Sequence, residues 1–486
     1  MAHRYRLNSV LLPQGWAADA LVTVTEDGRI SAIQESSAQE NGDAGDGGTS
    51  HSDPRPPDRR PPGILHDAER VSGFVVPGMP NAHSHAFQRG MTGSTEYRLS
   101  ARDSFWTWRQ AMYRLANRIE PEDLEVLATQ LFIEMLKAGY TSVAEFHYLH
   151  RRPAGDHYPD GGGLWDAIIA AAAASGIGLT LLPTLYQTSD FGAAPLKPDQ
   201  ARFASDTDWF LRAVEARVGA ERSAAPAALR TGAAFHSLRA VPLDTLREAA
   251  LALRRIDPAL PLHIHVAEQT QEVDSCKART GRRPIELLLD TGLLDRHWCL
   301  VHATHATPAE LQGIAATKAT VCLSVTTEAN LGDGFFEAAR FQKLGGRVCV
   351  GSDSQATVCP AEELRWMEYQ QRLRKKRRAV LADRRDPHVG TRLWRDAARH
   401  GAEAIGQPAG TIEVGQRADW LVLDDAHPSM AGSAPENALD HLVFAGASAA
   451  IRDVMVAGRW VVRERRHAAD PILQPRFADL MRRLAR

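Results

Sequence analysis

Eight short apolar runs, alternating with helix-forming sequence, constrain this chain more than any other feature. They fall at 73–85 (GFVVPGMPNAHSH), 141–147 (TSVAEFH), 179–185 (LTLLPTL), 229–236 (LRTGAAFH), 261–268 (PLHIHVAE), 298–304 (WCLVHAT), 320–325 (TVCLSV) and 347–353 (RVCVGSD). Near-continuous apolar runs suit parallel strands covered on both faces, and eight strand–helix repeats are what a (β/α)8 barrel needs. The clearest helix follows Pro121, where Leu124, Leu127, Ala128, Leu131, Phe132, Met135 and Leu136 recur at spacings of three and four until Gly139 ends it. The Ala-rich stretch at 167–178 is too short for a membrane span, which needs about 18 apolar residues, and reads as a buried barrel helix.

The chain ends read differently. LVTVTEDGRISAIQ alternates around a Glu-Asp-Gly turn as a hairpin does, and TIEVGQRADWLVLD and AIRDVMVAGRWVVRE repeat that pattern after residue 411. The expected organisation is an α/β chain: a (β/α)8 TIM-like barrel over 73–411 with a small β-sandwich domain formed from both chain ends, 1–72 and 412–466, and a C-terminal helix over 467–486. Residues 36–63 are rich in Gly, Pro, Ser and charge, and read as a flexible surface insertion.

Composition excludes several classes. With 44% hydrophobic and 24% charged residues and a net charge of -2, the chain is an ordinary globular protein with no general affinity for nucleic acid. The basic run RLRKKRRAVLADRR at 372–385 lacks interleaved aromatics and reads as a solvated helix face or a subunit contact. Five cysteines (Cys276, Cys299, Cys322, Cys349, Cys359) form no CxxC pair and are odd in number, which argues for buried thiols in a reducing compartment. MAHRYRLNSVLL is soon interrupted by Pro13 and Gly15, so it does not read as a signal peptide, and a cytoplasmic location without membrane attachment is expected.

In a barrel of this kind chemistry gathers at the C-terminal ends of the strands. Here the first run ends in His83 and His85, the fourth in His236, the fifth in His265 and Glu268, the sixth in His302 and the eighth in Asp353. An HxH pair alone is a weak signal, although residues i and i+2 of a strand share a face. Joined to His265 and Asp353, His83 and His85 make three imidazoles and a carboxylate with a position left for water, which matches a catalytic Zn²⁺ site. Fe²⁺ and Mn²⁺ fit the same donors. One metal per subunit is expected, because LRTGAAFH offers no Lys or acidic residue at its end to bridge two ions. Glu268, three residues beyond His265, is placed to protonate a substrate nitrogen. Either His302 or Asp353 can take the water proton; a hydrogen-bonded core histidine is the competing reading of His302.

These residues and their surroundings resemble the amidohydrolase superfamily and, within it, the formimidoylglutamate deiminases of histidine breakdown. The similarity runs through PGMPNAHSHAFQRGMTG, DSFWTWRQAMYRLA, GYTSVAEFHYLH, FHSLRAV, HIHVAEQTQEV, LVHATH, TTEANLGDGFFEA and VGSDS, and GTIEVGQRADWLVLD is similar to the superfamily's return to its β-sandwich. The resemblance implies hydrolysis of N-formimidoyl-L-glutamate to N-formyl-L-glutamate and ammonia, with His83, His85, His265 and Asp353 on zinc and Glu268 and His302 in proton transfer. It further implies Gln88, Arg109, Tyr148, His236 and Arg239 as the residues that hold a small dicarboxylate substrate, and a homodimer. Arginine suits that task because its guanidinium grips a carboxylate through two parallel hydrogen bonds. Gln355 in GSDSQAT, and Ser324 and Val325 in CLSVTTEAN, depart from the family pattern and bear on the outer wall of the site. Two other readings remain. A purine, pterin or triazine deaminase or chlorohydrolase would keep the metal set and use Trp106 and Trp108 for stacking, and a non-catalytic metal-binding protein would have no need of Glu268 and His302.

Overall fold

The computed structural model describes residues 2–35, 68–97, 104–158, 163–224, 228–384, 386–446 and 448–485. The insertion expected at 36–63 lies outside them. In chain order the strands are β1 (His3–Leu12), β2 (Gly15–Val24), β3 (Ile30–Gln34), β4 (Glu69–Pro77), β5 (Met79–Ser84), β6 (Tyr140–His147), β7 (Gly178–Leu185), β8 (Leu229–Thr231), β9 (Ala233–Phe235), β10 (Leu262–Val266), β11 (Trp298–His302), β12 (Thr320–Leu323), β13 (Arg347–Val350), β14 (Trp420–Leu423), β15 (Ile451–Val456) and β16 (Arg459–Val462).

Strands β5 to β13 form one parallel sheet that follows chain order, and its edges meet through a bridge between Ser84 and Asp353. The amide of Asp353 donates to the His83 carbonyl at 3.0 Å, and the amide of His85 donates to the Asp353 carbonyl at 3.1 Å. This seam closes the barrel with the same short segments that carry three candidate metal ligands. Gly351 belongs to it, since a Cβ there would lie 2.8 Å from the Cβ and carbonyl oxygen of His83. The fourth apolar run is two short strands, β8 and β9, broken at Gly232.

The first run, expected as one barrel strand, is also two. Its first part, β4, belongs to a seven-stranded sheet of order β16-β15-β14-β4-β1-β2-β3, and the barrel strand begins at Met79. Between them Gly78 packs against Thr141 so closely that a Cβ would stand 2.2 Å from it. The end sheet joins both termini of the chain, all its pairs being antiparallel except β1 with β4. Tyr5, Leu7 and Val22 from one side of it share a core with Trp420, Val422 and Met455 from the other. The expected hairpin over 21–34 is β2 and β3.

The helix Pro121–Ala138 begins with proline in its first turn and ends on Gly139 in the left-handed region (φ 108°), as the sequence requires. The helix Asp470–Leu484 packs against it, with Asp470 accepting from Lys137 Nζ at 2.6 Å. Cys299, Cys322 and Cys349, on three successive barrel strands, are buried beside one another, and Cys359 is half-buried. In the basic run, Arg372 pairs with Glu368 and Arg374 with Glu337. Among the described residues no helix is long and apolar enough to cross a membrane.

Candidate active site

The seven groups expected at the strand ends converge on one mouth, and each arrives by a specific backbone device. β5 runs directly into His83 and His85. Beyond β10 the chain turns at Ala267 (φ 52°), and His302 and Asp353 themselves adopt left-handed φ of 70° and 45°. A side chain with a Cβ pays on the order of 1 kcal/mol for that conformation, so the barrel holds these three turns against local preference.

His265 Nε2 lies 3.0 Å from His83 Nε2, and Asp353 Oδ1 is 3.4 Å from the Nε2 atoms of both His83 and His85. His85 Nδ1 donates to the Phe146 carbonyl and His265 Nδ1 to that of His236, each at 2.8 Å. Those bonds fix the tautomers and leave both Nε2 lone pairs turned inward. Two imidazole nitrogens facing at 3.0 Å repel unless a proton or a cation lies between them. Burial lowers His83 to about 3 and lowers His85 and His265 as well, which keeps the rings neutral and able to donate lone pairs. Burial opposes a charge on Asp353, but the hydrogen bond from His83 and the positive charge of His302 outweigh it and hold the carboxyl below its usual range. This donor set can hold a metal ion.

Beside it, His302 Nε2 stands 3.7 Å from Glu268 Oε1 and 3.7 Å from Asp353 Oδ2. Burial raises Glu268 to about 7. Burial disfavours the charged form of His302, yet the carboxylates of Glu268, Glu328 and Asp353 prevail and raise it to about 10. Glu328, which the sequence reading passed over, stands 3.3 Å from His302 Nδ1 through Oε1. It lies inside TTEANLGDG, a motif noted for its resemblance without a role assigned to its acid.

The residues expected to hold substrate line the same pocket. Gln88 Nε2 donates to the Tyr148 hydroxyl at 2.9 Å, and the Tyr148 ring lies 5.3 Å from that of His236. Arg109 comes from the helix Phe105–Ala116, its guanidinium carbon 4.2 Å from the centre of the Trp106 ring; that of Arg239 is 5.9 Å from the same ring. Trp106 is therefore a rest for two cations, a different duty from the stacking surface that a cyclic substrate would need. Trp108 does line the pocket.

Gln355 is not part of an outer wall. Its buried carboxamide donates to Ser84 Oγ at 3.0 Å and to the Asp353 carbonyl at 2.7 Å, beneath the candidate ligands. Ser84 in turn donates to Glu145, which also accepts from the Ala86 amide at 2.6 Å. Ser324 and Val325 are buried as well, at the start of the helix Val325–Leu331.

A closed parallel barrel that gathers three imidazoles and a carboxylate able to hold a metal at one mouth, with an end sheet made from both ends of the chain, defines a hydrolase architecture, and the chain belongs to the amidohydrolase family, whose match spans residues 74–461. It is 46% identical over 460 residues to the formimidoylglutamate deiminase of Pseudomonas aeruginosa, covering 95% of this chain and 94% of that one. A crystal structure of an amidohydrolase from Brucella melitensis superposes with a TM-score of 0.87 at 37% identity, covering 100% of both chains. A 5-methylthioadenosine/S-adenosylhomocysteine deaminase of Shouchella clausii is 26% identical over 404 residues, 81% of this chain and 82% of that protein.

Proposed function

We propose that this protein hydrolyses N-formimidoyl-L-glutamate to N-formyl-L-glutamate and ammonia, using one Zn²⁺ held by His83, His85, His265 and Asp353. The observation that carries the reading is the pairing, at one barrel mouth, of that donor cluster with two pocket arginines resting on Trp106. The 46% identity to a formimidoylglutamate deiminase supports the same substrate. Fe²⁺ or Mn²⁺ would suit the donors, and metal analysis of the purified protein decides among them.

Zinc bound there supplies the Lewis acidity that makes water a nucleophile at neutral pH. The remaining work belongs to side chains. Arg109 and Arg239 grip the carboxylates and fix the formimidoyl carbon over the donor cluster, while Gln88, Tyr148 and His236 confine the substrate backbone. A planar amidine-like carbon becomes tetrahedral when water adds, so its nitrogen must gain a proton before it can leave. Glu268 carries that proton: raised towards neutrality by burial, its carboxyl can receive a proton from water and hand it to the imino nitrogen. Asp353, or His302 in its neutral form, takes the other proton of the water and returns it to that nitrogen, so that both water protons leave in the ammonia.

The test is direct. Purified protein is incubated with N-formimidoyl-L-glutamate and with the glutamine analogue, which lacks the side carboxylate, while ammonia and N-formyl product are followed. Release that is rapid with the first and collapses with the second is expected. No turnover of either by the metal-loaded protein would move the substrate to a cyclic amidine.

A further inference from the structure

Gln355, two residues beyond Asp353, is 1% exposed and has no part in the mechanism above. A carboxamide taken out of water needs partners, and its Nε2 has two, both on the barrel seam: the Asp353 carbonyl at 2.7 Å and Ser84 Oγ at 3.0 Å. A carbonyl can only accept, which settles that the nitrogen faces it; Oε1 is left buried with no partner among the described residues. Both protons of one nitrogen are therefore committed to opposite sides of the seam. Asp353 lies on one side, and Ser84, the residue between His83 and His85, lies on the other.

The backbone shows what these bonds restrain. Asp353 and Gln355 both hold left-handed φ, 45° and 65°, a conformation that residues with a Cβ disfavour. Two such residues in one turn relax unless the surroundings oppose it. The Gln355 amide donates to the Ser352 carbonyl at 2.9 Å, and the side chain folds back on the Asp353 carbonyl, which also accepts the His85 amide at 3.1 Å. Ser84, accepting from Gln355, has its own proton directed to Glu145 Oε2 at 2.8 Å, and Oε1 of that buried acid takes the Ala86 amide at 2.6 Å. The segment 83–86 is thereby held on one flank by β6 and on the other by Gln355. The spacing of the donors depends on this seam, since Asp353 Oδ1 stands 3.4 Å from Nε2 of both His83 and His85 and Oδ2 stands 3.7 Å from His302 Nε2.

We propose that Gln355 is a positioning residue that ties Asp353 to the segment carrying His83 and His85 through Ser84, and so sets both the zinc affinity of the donor cluster and the aim of the Asp353 carboxylate. The proposal rests on the ligand set given above. Gln355→Met keeps the length of the side chain and removes both protons, whereas Ser84→Ala cuts the tie and leaves the bond from Gln355 to Asp353. Each variant should weaken zinc binding by about tenfold, at the lower end of what the loss of a ligand-supporting hydrogen bond causes. Combined, they should weaken it by about tenfold again rather than by the roughly hundredfold of independent losses, because both cut one connection. For Gln355→Met, kcat per bound zinc should fall about tenfold with KM for N-formimidoyl-L-glutamate unchanged, since the arginines are untouched.

Zinc Kd is measured by competition with a chromophoric chelator for the wild type, both single variants and the double variant, together with Tm of the zinc-free proteins and kcat and KM of the zinc-loaded ones. A lower Tm of zinc-free Gln355→Met with a zinc Kd within about twofold of the wild type would reduce Gln355 to a brace of its own turn and overturn the proposal. Losses that multiply in the double variant would also overturn it, since Gln355 and Ser84 would then act apart. Should Gln355→Met not fold, Ser84→Ala decides: weakened zinc binding supports the tie and wild-type affinity contradicts it. A wild-type protein that binds no zinc would instead overturn the ligand set, and one that binds zinc without turning over N-formimidoyl-L-glutamate would overturn the proposed function while the zinc affinities still decide the role of Gln355.

Discussion

His302 Nδ1 and Glu328 Oε1 lie 3.3 Å apart, both side chains only 1% exposed, and the same carboxylate oxygen accepts the Ser324 amide at 3.1 Å. An imidazole so held has its Nδ1 proton fixed on the acid side and its Nε2 aimed at Glu268 and Asp353. Replacing Glu328 with Gln lets the carboxamide present its N–H to the ring and favours the wrong tautomer. We expect kcat to fall by about a hundredfold or more with zinc content unchanged; steady-state ammonia release together with metal analysis checks this, and an unchanged kcat would leave His302 as a structural histidine.

Glu268→Gln removes the proposed proton carrier while leaving every candidate ligand in place. Turnover should drop by about 10²–10⁴-fold, the usual contribution of a general acid–base group. Zinc stoichiometry should match the wild type. A Gln variant that turns over normally would remove Glu268 from the reaction.

Lysine at position 109 or 239 keeps the charge and loses the planar fork that matches a carboxylate and stands over Trp106. Each substitution should raise KM for N-formimidoyl-L-glutamate by about tenfold, with a smaller change for the glutamine analogue. Equal changes with both substrates would separate that arginine from carboxylate recognition.

Metal removal should act on stability as well as on rate. With the ion gone, neutral imidazole nitrogens face each other at 3.0 Å, and the seam that closes the barrel runs through the same residues. Chelation is expected to abolish ammonia release and lower Tm; zinc at about a hundredfold excess over its Kd restores about 2.7 kcal/mol of stability. Calorimetry of the chelated and reconstituted protein reads this out.

Arg202 is a buried arginine outside the reaction. Its guanidinium donates to the carbonyls of Ala116, Ile119 and Arg151 and to the Tyr158 hydroxyl, which anchors the end of the helix that presents Arg109. Arg202→Met leaves those acceptors unpaired and should cost about 3 kcal/mol of stability, measured by denaturant unfolding.

Much of this protein was legible along the chain because the relevant signals are local. The period of apolar residues fixes the helix Pro121–Ala138 and its end at Gly139, and the strand-end positions of His83, His85, His265, His302 and Asp353 follow from a barrel that gathers its strand ends in one mouth. Proline and glycine could have marked the break at Pro77–Gly78, but an apolar run does not state which of two sheets each half will join. That depends on Thr141 crowding Gly78 and on β14 pairing with β4 from the far end of the chain. Gln355 and Glu272 carry no signature either: an amide and an acid are surface residues by default, and only packing turns them inward onto Ser84, Asp353, Ala267 and Glu268. Sequence by itself determined the architecture and the candidate donors, because periodicity and residue chemistry are properties of neighbours. The tertiary structure decided which groups support those donors, because hydrogen bonds between segments up to 271 residues apart exist only once the barrel has closed.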